Sequence, residues 1–96
     1  MKTYVIERDL PGVGGLNNEQ LAGAAKTSNA ALAQIDGVQW DHSYVVGDKT
    51  FCIYRAESED KIREHAEKSG FPASKISEVK TVIDPNTENL AAETAA

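Results

Sequence analysis

Residues 38–56 read VQWDHSYVVGDKTFCIYRA, and the alternation in this stretch decides the fold. Side chains two apart share a face of a strand. Over 38–46 that rule groups Val38, Trp40, His42, Tyr44 and Val46 on one face and Gln39, Asp41, Ser43 and Val45 on the other. Gly47-Asp48 fits a two-residue hairpin loop, and 49–56 reads as the return strand. Pairing Val46 with Lys49 sets Tyr44 opposite Phe51, Ser43 opposite Cys52 and His42 opposite Ile53. This register predicts one surface formed by Trp40, His42, Tyr44, Phe51 and Ile53. A slip of one residue would scatter the group.

Outward from the hairpin, the pattern alternates between strand and helix. Residues 2–8, KTYVIER, form a first strand. Pro11 and the glycines at 12, 14 and 15 then make a loop. Asn17 followed by Gln20 has the spacing of a capping box. Leu21, Ala24, Ala25, Ser28, Leu32 and Ile35 recur at helical spacing, and Gly37 ends that helix. After the hairpin, Ser58 stands at the N-cap of a second helix over 59–69, with Glu59 and Asp60 in its first turn and Gly70 as its stop. Ile76 to Ile83 reads as a last strand, broken by Asp84-Pro85. The order β-α-β-β-α-β is the ferredoxin-like plan, an α+β sandwich with both helices on one sheet face. The boundaries place one ferredoxin-like domain at 1–83 and a mobile C-terminal tail at 84–96.

Composition limits what such a domain does. The chain has 96 residues, 10 basic and 15 acidic, for a net charge of −5. An acidic surface disfavours nucleic acid and anionic membranes as partners. No apolar run is long enough for a membrane span, and the opening residues do not read as a signal segment, so a cytoplasmic protein is expected. The single Cys52 excludes an internal disulfide framework and reads as a small buried hydrophobe. A third of the apolar residues are alanine, so the core is small. A homodimer that covers the open sheet face is therefore expected.

Candidate chemistry is sparse. Gly12-Val13-Gly14-Gly15 sits where a phosphate loop would, but neither the dinucleotide nor the Walker spacing is present, and it reads as a turn. His42 lies mid-strand on the aromatic face, either packed at an interface or acting as a metal ligand or proton carrier. His65 lies on the second helix with Lys61, Ser69, Ile62 and Lys68 one turn away. That helix alone offers no chelate, and His65 reads as a surface or boundary residue. Glu57, Asp60 and Glu64 line one helix edge as a solvated face.

Several segments in order, YVIERDLPG at 4–12, VQWDHSYV at 38–45, DKTFCIYRA at 48–56, IREHA at 62–66 and SGFP at 69–72, resemble the small nickel-binding ferredoxin-like family of actinobacteria, long catalogued as a domain of unknown function. The resemblance implies a homodimer that binds Ni²⁺ for sequestration or tolerance of the metal, without catalysis. It points to His42 and His65 as imidazole ligands, with Glu64 and Glu7 as oxygen ligands, a donor set suited to Ni²⁺. Two other readings stand beside it. One is a small dimeric enzyme of monooxygenase or isomerase type, with His42 as general base in a sheet-helix cavity that Trp40 and Tyr44 also line. The other is an assembly module whose aromatic face forms the dimer.

Overall fold

A computed structural model describes residues 1–90. Four strands, β1 (Lys2–Asp9), β2 (Val38–Val45), β3 (Lys49–Ala56) and β4 (Lys75–Glu78), and two helices, α1 (Asn18–Leu32) and α2 (Glu59–Ser69), follow in the expected order. All strand pairs are antiparallel in the order β2-β3-β1-β4, consistent with the ferredoxin-like plan.

The capping box forms as the spacing predicts. Gln20 N donates to Asn17 Oδ1 at 2.8 Å, and Asn17 N donates to Gln20 Oε1 at 3.0 Å. Helix α1 is shorter than the periodicity implies. It ends at Leu32, and the amides of Gln34 and Ile35 reach back only three residues, to Ala31 and Leu32. The tightened turn still drops Ile35 into the core. Ser58 occupies the N-cap of α2, but its side chain makes no capping hydrogen bond. At the other end Gly70 takes the left-handed conformation, φ 78°, and its amide closes the helix on Ala66.

One face of the sheet packs under the helices. Tyr4, Ile6, Val38, Cys52, Tyr54 and Ala56 from the strands meet Ile35 and, from α2, Ile62. The hairpin register holds at its tip: Tyr44 faces Phe51, Ser43 faces Cys52 and His42 faces Ile53. It breaks at Asp41. A bulge there pairs Trp40 with Tyr54, so Val38 and Trp40 turn inward while His42 and Tyr44 stay outward. The predicted grouping of Trp40 with His42 is thus corrected: one extra residue reverses the parity of everything before it. Arg55 holds the bulge from the open face, with Nη2 at 3.1 Å from Asp41 Oδ1. Trp40 stacks on Tyr54 and donates to Ser43 Oγ at 2.9 Å.

Strand β4 is also shorter than expected, ending at Glu78 rather than Ile83. Val79 donates the last bond to β1, to Thr3 O. Val82 and Ile83 then lie 81% and 74% exposed. Asp84 caps a short 3₁₀ turn at Pro85–Asn89. Positions 91–96 of the expected tail lie outside the described residues.

The glycine loop has a structural employment. Gly14 N bonds Gly47 O and Gly12 N bonds Asp48 Oδ1, while Val13 and Gly15 bond within the loop. A Cβ on Gly14 would stand 2.7 Å from Val46 O. The loop is a clasp on the hairpin turn, and its amides are already engaged.

Candidate functional site

The two sheet faces separate the candidate residues. Glu7, on β1, and His42, on β2, share the open face, along with Val5, Tyr44, Phe51 and Ile53. His42 is exposed, meets the Tyr44 ring edge-on at 5.2 Å, and has Nε2 3.3 Å from the Tyr44 hydroxyl. Glu7 is half-buried, with Lys49 Nζ 3.7 Å from its carboxylate. Strand β3 separates the two residues, and they sit one two-residue step apart along the ladder. Strand and residue spacings put their backbones about 12 Å apart.

His65 lies on the other side of the sheet. It is 0% exposed, not the boundary residue its helical neighbours imply. Helix α2 turns it inward beside Ile62, onto the Tyr54 ring at 5.2 Å. Its Nε2 lies 3.1 Å from Ser28 Oγ and 3.4 Å from Ser28 O. Because a carbonyl only accepts, that contact puts the proton on Nε2. Nδ1 is then a bare, buried acceptor, and it has no partner in the structure. Burial, and next the nearby Arg8 guanidinium, push the His65 pKa below its ordinary value, while the Ser28 carbonyl pulls it up. The ring is neutral at neutral pH. Glu64, its neighbour on α2, is half-buried. The structure therefore brings His42 and Glu7 to one face and places His65 beneath the other. Among the described residues, no three His, Cys, Asp or Glu side chains cluster as a metal site.

The inner face carries a cavity of about 290 Å³ between the sheet, α1 and the glycine loop. Leu16, Leu21, Ala24, Trp40, Val45 and Cys52 are among its walls, with Arg8, Ser28, Thr50 and Tyr54 as polar members. His42 does not line it. The expected cavity exists, but the enzyme reading that put His42 inside it is corrected, because the bulge leaves Trp40 inside and His42 outside. Burial raises the Tyr54 pKa, with a Ser28 hydrogen bond and Arg8 opposing. Arg8 belongs to no chemical motif, yet period-two alternation puts it on the same face as Tyr4 and Ile6. That was the signal available for it.

A four-stranded antiparallel sheet with two helices on one face, and an exposed histidine on the other, defines a small α+β domain of ferredoxin-like order. Its chain trace is similar to the crystal structure of SCO4226 from Streptomyces coelicolor A3(2), with a TM-score of 0.71 at 18% identity over 84% of this chain and 99% of that one. The family model described as nickel responsive protein SCO4226-like matches residues 4–79, and the chain belongs to that family. No curated protein sequence matches it.

Proposed function

We propose that this protein binds Ni²⁺ through His42 on the open sheet face, as a cytoplasmic homodimer that sequesters the metal rather than transforming a substrate. Membership of a nickel-responsive family is the observation that carries the reading. The donor chemistry supports it in part. His42 offers an accessible imidazole nitrogen, and Glu7 offers a carboxylate on the same face. Metal–ligand bonds are about 2 Å, so the two residues of one chain, about 12 Å apart, do not close a site together. A second copy on the open face would supply another His42 and Glu7 and complete the donor set. The exposed Tyr44 and the half-buried Val5, Phe51 and Ile53 are the apolar surface such a contact would cover. Glu64 lies on α2, on the helix-covered side of the sheet, and does not share the His42 face. His65 is the less suitable ligand. A cation bound there would have to pass the core and sit near the Arg8 guanidinium, whose charge opposes it.

Isothermal titration of metal-free, tag-free protein with Ni²⁺ and Zn²⁺ at pH 7.5 tests this. Micromolar Ni²⁺ binding that weakens about ten-fold, or about 1.4 kcal/mol, in His42→Ala, and much less in His65→Ala, is the expected result. Sedimentation of the same samples reads the dimer. Absence of binding in the wild type overturns the proposal.

A further inference from the structure

Arg8 is an unusual occupant of a small core. It is 2% exposed, and a guanidinium stays charged inside a protein. Its Nη1 donates to Pro72 O at 2.8 Å and, at 3.4 Å, to Phe71 O. Its Cζ lies 5.8 Å from the Tyr54 ring centroid. Nη2 is buried with no hydrogen-bond partner, and among the described residues no carboxylate lies within ion-pair distance of Arg8. A buried charge with an unmet donor is costly unless something compensates it. The same side chain lines the 290 Å³ cavity, whose other walls are mostly apolar. That volume is at the lower end of small-molecule sites, about 300–1,000 Å³, and the plan of an apolar chamber with a few polar groups is theirs too.

We propose that this cavity binds a small monocarboxylate with an apolar body, its head group on Arg8 and its body against Leu16, Leu21, Ala24 and Trp40. A carboxylate oxygen would accept from Nη2 and neutralise the buried guanidinium. Ser28, Thr50 and Tyr54 add hydroxyls along the lining. A dianion such as phosphate fits less well, because one guanidinium with two of its donors already on carbonyls is the only cation among the lining residues. Exposed Val45 places the mouth of the cavity at the hairpin end. The binding is independent of nickel, since His42 faces the other way.

Phenylacetate and octanoate are the probes, each titrated against its neutral amide, with Trp40 fluorescence and calorimetry as readouts on the metal-free full-length chain. Trp40 is the only tryptophan and lines the cavity. The expected result is saturable binding of at least one acid, about ten-fold or more tighter than its amide, with the preference abolished in Arg8→Met. Ala24→Leu, which fills the chamber and leaves the charge, should weaken acid and amide alike. Should Arg8→Met fail to fold, the wild-type comparison of acid with amide still decides. Equal binding of acid and amide overturns the proposal, as does absence of binding by both acids to folded wild type.

Discussion

The two faces of the sheet use the same alternating strands for opposite purposes. On the inner face Tyr4, Ile6, Cys52 and Tyr54 are closed under two helices, and of the buried polar residues there, Arg8, Ser28, Thr50 and His65, Arg8 and His65 keep an unsatisfied atom. On the outer face His42, Tyr44 and Glu7 meet solvent, and the nearby ion pairs are surface pairs. A histidine therefore means different things on the two sides of one sheet. Outside, it keeps nitrogen accessible to a cation. Inside, it is kept neutral and tied to a serine. Residue type does not separate the two; the parity of the strand and the direction of the helix do.

The largest effect expected of this contrast is in packing. Ile6→Ala removes a fully buried side chain and should cost about 2–5 kcal/mol. Val5→Ala, next in sequence but on the half-buried outer face, should cost about 1 kcal/mol. Urea titration at several protein concentrations measures both. With the homodimer proposed above, the Val5→Ala cost should grow with protein concentration; a cost independent of concentration would show that no second copy covers the outer face.

A smaller effect sits at His65. Its folded pKa is depressed, so the unfolded chain binds the proton more readily. Stability from this group is full above the unfolded value of about 6.5 and falls as pH drops below it, toward the lower folded pKa. Denaturation midpoints between pH 7.5 and 5 should fall for wild type and for His42→Ala, and fall less for His65→Gln. An unchanged slope in His65→Gln would contradict the buried, neutral ring.

The smallest expected effect is at the bulge. Arg55→Ala breaks a largely exposed pair with Asp41, for which about 0.2–1 kcal/mol is ordinary. A loss several times larger would mean that the pair holds the bulge itself, and with it the inward turn of Trp40.

Much of this plan was legible in the residues. The hairpin register at Tyr44, Ser43 and His42 follows from the period-two pattern and the two-residue turn, and the helix start follows from Asn17 and Gln20. The bulge at Asp41 was not legible, because alternation carries no mark for an extra residue when both Trp40 and His42 suit either face. The end of β4 was hidden for another reason: Val79 to Ile83 have strand propensity, yet the pairing with β1 stops at the Val79 bond to Thr3. The burial of His65 needed the partner face, since its neighbours one turn away include two lysines and a serine. Arg8 was legible by parity, but a basic residue at a strand end gives no sign that it will be enclosed.

We expect the outer histidine, not the inner one, to meet nickel. Ni²⁺ held by imidazole and oxygen ligands in expanded coordination is high-spin and paramagnetic, and it broadens nuclear resonances close to it. Stepwise addition of Ni²⁺ to ¹⁵N-labelled, tag-free protein, read on the imidazole and backbone signals, tests the claim directly. Selective broadening of His42, Tyr44 and their neighbours on β2 and β3, with the His65 and Ser28 signals retained at low metal ratios, is the predicted result. Broadening that begins at His65 and α2 while the His42 signals persist would contradict it.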